Sequence, residues 1–262
     1  MSVIVQWMDQ FDEFIDSMAD EKTTSWPLMV SASRMIVVCL FYIFMVTLIG
    51  PKLMENRKPY NFKRIILVYN TFQVIACTIL FTWVSHSNPT LICIPPAYIT
   101  STMNSTTSRI CWWTTLLKLA EFMETFFFVL RKKQNQVSGL HVYHHTSTLV
   151  IMWGSTKLFP NPVVLLPVMI NSFVHMLMYT YYLLSATGPS VQNRITGWKK
   201  YITITQMVQF CFLVIYSTQM FLPYCEVPHF YAYIFIPNVF LVFYLFFQFY
   251  KQAYMKRIQN KS

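Results

Sequence analysis

Seven long apolar runs constrain the fold of this chain more than any other feature of its sequence. They lie near residues 30–49, 65–84, 112–130, 137–153, 163–184, 201–222 and 230–250. A helix needs about 20 apolar residues to cross the hydrocarbon core of a bilayer, so each run predicts a transmembrane helix. Because 55% of the residues are hydrophobic and only 11% are charged, the composition is unlike that of a soluble protein. We therefore predict an all-α membrane protein with seven transmembrane helices.

The basic residues alternate between the two sides of the predicted membrane. Of the 20 lysines and arginines, 15 follow the first, third, fifth and seventh runs, whereas the charged residues among 1–28 are mainly acidic. The positive-inside rule then places the N-terminus in the lumen and the C-terminus in the cytosol. The net charge of +10 thus reflects topology, and we expect no nucleic acid partner. Residues 1–262 are predicted to form one transmembrane domain, with an acidic lumenal segment at 1–28 and a basic cytosolic tail at 251–262.

Two further features agree with this topology. Asn104 begins an Asn-Ser-Thr glycosylation sequon in the second loop, which the charge pattern makes lumenal. Cys93 lies in the same loop and Cys225 in the sixth, also lumenal. An oxidising compartment allows these two cysteines to form a disulfide, although each is also compatible with a small buried hydrophobe.

His141, His144 and His145 form an H-x-x-H-H cluster within the fourth predicted helix. Residues i, i+3 and i+4 share one face of a helix, so the three imidazoles point into the same space. Ionisable groups inside a membrane usually mark chemistry or a transport path, because hydrocarbon does not solvate them. Imidazoles suit nucleophilic or general-base catalysis. They also suit a metal site, for which His141, His145 and His175 are the candidate ligands.

Polar side chains also recur at helical spacing in three other predicted helices. They are Lys118, Glu121, Glu124 and Thr125 in the third, Asn171, His175 and Tyr179 in the fifth, and Thr203, Gln206 and Gln209 in the sixth. The lysine and the two carboxylates either neutralise one another as ion pairs or bind a polar ligand. One polar stripe is typical of hydrogen bonds between helices. Four stripes, counting the histidine cluster, predict a shared interior chamber.

Five sequence segments carry a family resemblance. They are KLAEFMET (118–125), FFVLRKK (127–133), HVYHH (141–145), NSFVHMLMY (171–179) and TITQMVQ (203–209). In this order and spacing they resemble the ELO family, the very-long-chain fatty acid elongases or 3-ketoacyl-CoA synthases of the endoplasmic reticulum. The chain departs from the family pattern at Glu124, where aspartate is usual, and at Gly139, where a bulky residue is common. We expect the glycine to weaken the start of the fourth helix.

The resemblance implies a condensation in which an acyl-CoA gains two carbons from malonyl-CoA, with release of carbon dioxide and CoA. It implies that His144 attacks the thioester to give an acyl-imidazole, as proposed for the family. His141, His145 and His175 would then orient groups and move protons. Asn171 and Gln206 would stabilise oxyanions, with support from Lys118, Glu121, Glu124 and Tyr179. The expected CoA-binding residues are Lys118, Arg131, Lys133, Lys199, Lys200, Thr203 and Arg257.

The same resemblance implies further properties of the protein. We expect a multi-pass protein of the endoplasmic reticulum membrane, with an acyl tunnel and no cofactor or metal beyond the two CoA substrates. Other enzymes of the elongation cycle and a second copy of the chain are the expected protein partners. The alternative functions are a metal-dependent lipid oxidase or desaturase, a seven-helix receptor, and a transporter. The chain lacks the Asp-Arg-Tyr motif that is typical of such receptors. A transporter would be expected to contain internal repeats in its sequence.

Overall fold

The computed structural model describes residues 3–225 and 227–255, and the regular elements of this part of the chain are all helical. The α-helices are α1 (Val3–Asp16), α2 (Ala32–Phe44), α3 (Gly50–Met54), α4 (Lys63–His86), α5 (Ser101–Leu130), α6 (Gly139–Lys157), α7 (Leu165–Thr187), α8 (Pro189–Ile195), α9 (Trp198–Ser217) and α10 (His229–Tyr250). A π-helical turn, Met45–Ile49, joins α2 to α3. The all-α prediction is therefore confirmed for the described residues.

In the part of the chain that the structure describes, five helical segments are long and apolar enough to cross a membrane. They are Ala32–Met54, Lys63–His86, Pro162–Thr187, Trp198–Phe221 and His229–Met255. The third and fourth predicted runs also fall on helices, α5 and α6, but polar and charged side chains make these two less apolar. The structure thus agrees with a helical membrane protein. The count of seven crossings and the lumenal N-terminus stay predictions.

Two stretches of the chain differ from what the sequence predicts. Asn104, expected in a loop, lies in the first turn of α5, which begins at Ser101 instead of near Trp112. The prediction located helices by their apolar runs, and the mainly polar residues 101–108 concealed the start of this helix. Glycosylation of Asn104 stays a prediction. In addition, half of the acidic N-terminal segment is folded as α1, Val3–Asp16.

The described helices divide into two compact units, and the first contains the described residues of Met1–Asn61 with Asn104–Val164. Its hydrophobic core draws on α2, α5 and α6. The buried side chains at its centre include Met35, Cys39, Tyr42, Val46, Phe122, Val129, Val142, Leu149 and Trp153. Gly50 allows a close approach here, because a Cβ at this position would lie 2.8 Å from Cγ1 of Val129. The core therefore fixes α5 and α6, the helices that carry the predicted site.

The chain before α2 is fastened to the end of α6 within this unit. Lys157 is fully buried, and its ammonium donates to the carbonyl of Met29 and pairs with Asp16. The indole of Trp153 donates to the carbonyl of Leu28 at 2.9 Å. These bonds satisfy a charge and backbone groups that would be costly to bury unpaired. The N-terminal segment is thereby held against the helix that carries the histidine cluster.

The second unit contains the described residues of Phe62–Met103 and Leu165–Ser262. Within it α7 packs against α4, α8 and α9, and α9 packs against α10. Cys93 and Cys225, the pair that the sequence predicts, are joined as a disulfide with Cα atoms 5.5 Å apart. The backbone N–H of Cys93 also donates to the side-chain carbonyl of Gln219. The long connection between α4 and α5 is thus anchored to the segment before α10.

Candidate active site

The three clustered histidines lie on α6, close to its first turn. Ser138 caps this helix, because its hydroxyl accepts from the backbone N–H of His141 at 3.2 Å. The cap offsets the weakening expected from Gly139, the first residue of the helix. The ring centroids of His141 and His145 are 4.3 Å apart, and those of His144 and His145 are 5.5 Å apart. The shared face that the spacing predicts is therefore confirmed.

A buried ion pair on α5 lies beside His145. The ammonium of Lys118 donates to both carboxylate oxygens of Glu121, at 2.9 and 3.1 Å. Oε2 of Glu121 lies 3.6 Å from Nδ1 of His145, within ion-pair range but beyond hydrogen-bond distance. Lys118 is 4% exposed and Glu121 is fully buried, so little water screens their charges. Of the two alternatives for these charges, the ion pair is present, and it lies within one helix.

Thr125, one turn beyond Glu121, links the same helix to the histidines. Its hydroxyl lies 2.8 Å from Nε2 of His141 and 2.8 Å from the hydroxyl of Tyr42 on α2. Thr125 and Tyr42 are both buried, as is Glu124 on the neighbouring face of α5. The first unit therefore brings together all the candidate residues of α5 and α6: Lys118, Glu121, Glu124, Thr125, His141, His144 and His145.

The second unit contains the remaining predicted polar groups, on α7 and α9. Nδ1 of His175 lies 3.0 Å from the carbonyl of Asn171, one turn earlier. Because a carbonyl only accepts, neutral His175 carries its proton on Nδ1 and its lone pair on Nε2. The ring centroid of Tyr179 lies 6.1 Å from that of His175. Gln206 contacts the sulfur of Met178 at 3.5 Å, which places it against α7 within this unit.

The predicted CoA-binding residues differ in their exposure. Lys133, Lys199 and Lys200 are exposed, and Arg131 is half-buried at the end of α5. Thr203 is buried, and its hydroxyl donates to the carbonyl of Lys199 at 3.0 Å. Lys118 is buried in its pair with Glu121, and Arg257 lies outside the described residues. CoA binding by this set stays a prediction.

Comparison with known proteins identifies the family. The sequence model of the ELO family, described as the GNS1/SUR4 family, matches residues 27–262. The chain belongs to the ELO family. It is 39% identical over 264 residues to very long chain fatty acid elongase 7 of Drosophila melanogaster, an alignment that covers 98% of this chain and 79% of that protein. It is 31% identical over 257 residues to elongase 4 of Mus musculus, covering 97% and 82% of the two chains.

The ELO match includes every helix that carries a candidate site residue, from α5 to α9. Together with the long apolar helices, it indicates a multi-pass membrane protein. Among residues 3–225 and 227–255, no three or more His, Cys, Asp or Glu side chains are grouped so that they could hold a metal ion. What the first unit does offer is adjacent imidazoles, a buried carboxylate and a hydroxyl. Such groups can perform nucleophilic attack and proton transfer.

Two buried residues of the first unit were not predicted from the sequence: Tyr42, beside Thr125, and Lys157, at the opposite end of α6 from the histidines. Tyr42 was hidden because an aromatic residue in an apolar run looks the same whether it faces lipid or protein. Lys157 lies just beyond the fourth apolar run and therefore resembles a loop cation in the sequence, although it is buried at the end of α6. The acidic residues before the first run are the sequence feature that points to a partner for the charge of Lys157.

Proposed function

We propose that the chain is a fatty acid elongase that condenses a long-chain acyl-CoA with malonyl-CoA. The products are a 3-ketoacyl-CoA, carbon dioxide and free CoA. One observation carries the proposal: an ELO-family chain holds three adjacent imidazoles beside a buried carboxylate. Ionisable side chains are costly to bury inside a membrane, and where they occur there they usually serve a function such as catalysis. Relatives named as very long chain fatty acid elongases support the same conclusion.

In the first half-reaction, a ring nitrogen of His144 attacks the thioester carbonyl of the acyl-CoA. The carbon–sulfur bond then breaks, and its electron pair leaves with the CoA sulfur. The ring proton of His144 passes through the neighbouring imidazole of His145 to the thiolate, so free CoA departs as a thiol. The acyl group remains on His144 as an acyl-imidazole.

In the second half-reaction, malonyl-CoA loses its free carboxylate as carbon dioxide. The electron pair of the broken carbon–carbon bond forms an enolate, and its carbon attacks the acyl carbonyl on His144. The carbon–nitrogen bond breaks, the electron pair returns to the ring, and the ring takes up a proton from solvent. The reaction consumes one proton overall and regenerates neutral His144.

The ion pair on α5 contributes to this scheme by stabilising the positively charged form of His145. The carboxylate of Glu121, 3.6 Å from Nδ1 of His145, favours the transient imidazolium that forms while the proton moves. Lys118 donates to both oxygens of that carboxylate, so the orientation of the carboxylate is fixed before substrate arrives. The roles predicted for Glu124, Asn171, His175, Tyr179 and Gln206 stay predictions.

The setting of the reaction belongs to the same proposal. We place the enzyme in the endoplasmic reticulum membrane with seven crossings and its basic loops in the cytosol. There the exposed cations Lys133, Lys199 and Lys200 are able to meet the phosphates of CoA. The acyl tunnel, the contact with other enzymes of the elongation cycle and self-association stay predictions.

Elongation of a defined acyl-CoA tests this function. Purified protein in detergent is incubated with a C16 to C20 acyl-CoA panel and labelled malonyl-CoA, and the products are identified by mass spectrometry. We expect label in a 3-ketoacyl-CoA two carbons longer than the substrate. His144→Ala should lower the rate at least a hundredfold, and His86→Ala, which removes an exposed histidine of α4, should not. Activity that is lost in chelator and restored by iron or zinc would instead support metal-dependent chemistry.

A further inference from the structure

We propose that Tyr42 of α2 is a positioning residue for the histidine cluster and acts on His141 through Thr125. The proposal rests on the elongase function above and adds a residue from outside the recognised motifs. Its basis is a continuous line of three side chains. The hydroxyl of Tyr42 lies 2.8 Å from that of Thr125, which lies 2.8 Å from Nε2 of His141.

Thr125 behaves differently from other threonines of the same helix. The hydroxyls of Thr114 and Thr115 donate to the carbonyls of Ile110 and Cys111, one turn earlier. This bond to the helix's own backbone is the usual solution for a buried helical threonine. Thr125 is also fully buried, but its hydroxyl is directed to two side chains on other helices. A local bond has therefore been replaced by one that reaches the histidine cluster.

Tyr42 is held too firmly to be an incidental neighbour. It is 1% exposed, and its ring stacks on Phe122 of α5 with centroids 3.8 Å apart. Phe126 meets the same ring edge-on, with centroids 6.1 Å apart. Because these two aromatic residues lie on either side of Thr125 in the α5 sequence, they fix the phenol hydroxyl relative to Thr125.

The acidities of the two hydroxyls favour one direction for this line of hydrogen bonds, and that direction sets where the proton of His141 lies. A phenol is the more acidic of the two hydroxyls and therefore the better donor, so Tyr42 donates to Thr125. The single proton of Thr125 is then available to His141, whose Nε2 must accept it. Neutral His141 consequently carries its own proton on Nδ1. The centroid of this ring is 4.3 Å from that of His145, so its tautomer and orientation bear on the proton transfer proposed there.

Loss of the Tyr42 hydroxyl has a defined consequence. The Thr125 hydroxyl, with one partner gone, is able to rotate to the carbonyl of Glu121, as its neighbours on α5 do with theirs. His141 then loses the donor that fixes its tautomer. Neither Tyr42 nor Thr125 is a catalytic residue in this scheme, because neither touches the reacting atoms. The effect should therefore appear in kcat and leave KM unchanged.

The test is a double-mutant cycle of Tyr42→Phe and Thr125→Val in the elongation assay. Tyr42→Phe keeps the stacked ring and should lower kcat about three- to tenfold, with KM within about twofold. Thr125→Val should lower kcat by at least as much, and Thr125→Ser, which keeps the hydroxyl, should recover most of the rate. The double variant should be no slower than Thr125→Val alone, because Tyr42 acts through that hydroxyl.

The matched control is Tyr216→Phe. It also removes a buried phenol hydroxyl, but one that donates to the backbone carbonyl of Thr90 in the second unit. Its kcat should equal that of the wild type even if its thermal stability falls as much as that of Tyr42→Phe.

Three results would overturn the assignment while the proposed function stands. They are a wild-type kcat in Tyr42→Phe, multiplicative effects in the double variant, and equal losses of kcat in Tyr42→Phe and Tyr216→Phe. A wild-type protein that does not elongate any acyl-CoA would overturn the proposed function, and with it this assignment.

Discussion

The two units of the molecule handle their buried polar groups in different ways. In the first, the candidate side chains bond to one another: Lys118 pairs with Glu121 within α5, and Thr125 of α5 contacts His141 of α6 and Tyr42 of α2. In the second, they bond mainly to the backbone of their own helix, as His175 does with the carbonyl of Asn171 and Thr203 with that of Lys199. The second unit is fastened instead by a covalent bond between Cys93 and Cys225.

This contrast indicates which substitutions should have effects beyond their own position. A side chain that bonds to the backbone of its own helix keeps its orientation as long as the helix is intact. A side chain that bonds to other side chains depends on each of those partners and is sensitive to the loss of any one. We therefore expect the first unit to respond to single side-chain changes and the second to respond mainly to loss of the disulfide.

The largest effect should follow from breaking the ion pair of the first unit. Lys118→Met leaves the carboxylate of Glu121 buried without its ammonium, and such a loss costs about 3 to 5 kcal/mol of unfolding free energy. Denaturant titration of the purified protein measures this change. Lys133→Met, which removes an exposed lysine beyond the end of α5, should change the unfolding free energy by less than about 0.5 kcal/mol.

The double variant Lys118→Met with Glu121→Gln sharpens the same point. It removes both charges, so it should be more stable than Lys118→Met alone. If Lys118→Met were as stable as Lys133→Met, the two charges would not depend on each other, and the contrast between the units would lose its main support.

The disulfide of the second unit should have the next largest effect. It closes a loop of 132 residues, and its loss should cost about 2 to 5 kcal/mol because the unfolded chain gains freedom. Cys93→Ser with Cys225→Ser should lower Tm, and reductant should lower the Tm of the wild type to the same value. Cys211→Ser, at an exposed free cysteine of this unit, is the control. Recovery of Cys93 and Cys225 as free thiols in non-reducing peptide maps of undisturbed membranes would refute the prediction.

The smallest effect concerns Asp12 of α1, which binds the N-terminal end of α2. Burial raises the pKa of its carboxyl, but hydrogen bonds from the N–H of Ser33 and from the hydroxyls of Ser31 and Ser33 outweigh burial, so the pKa lies below 3.8. A lowered pKa contributes stability that is present above pH 3.8 and disappears as the pH falls through the folded-state pKa. Asp12→Asn should cost about 1 kcal/mol at pH 7.

The pH dependence supplies the check on Asp12. The difference in Tm between the wild type and Asp12→Asn should shrink as the pH falls below 3.8 and disappear below the folded-state pKa, where both side chains are neutral. Asp9→Asn, at an exposed carboxylate of the same helix, controls for the change in net charge. A difference in Tm that is the same at pH 7 and at pH 3 would show that the carboxylate charge contributes nothing.

The sequence predicts the positions of the helices well because apolar length is a strong signal in membrane proteins. It also predicts the shared face of His141, His144 and His145, since helical periodicity alone determines that face. It fails at the start of α5, where a polar helical turn resembles a loop. It also fails for Tyr42, whose role depends on a tertiary contact with Thr125 that no local pattern encodes.

The most direct test of the account is detection of the acyl-imidazole on His144. Purified enzyme is mixed with a long-chain acyl-CoA in the absence of malonyl-CoA, stopped by mild denaturation within seconds, and analysed by mass spectrometry of the α6 peptide. We expect the mass of the acyl group on that peptide and a burst of about one CoA per active site. Both signals should be absent in His144→Ala. When malonyl-CoA is added to the wild type, the adduct should disappear and the release of CoA should continue beyond one per active site. An enzyme that elongates acyl-CoA but shows neither adduct nor burst would contradict covalent catalysis by the histidine cluster.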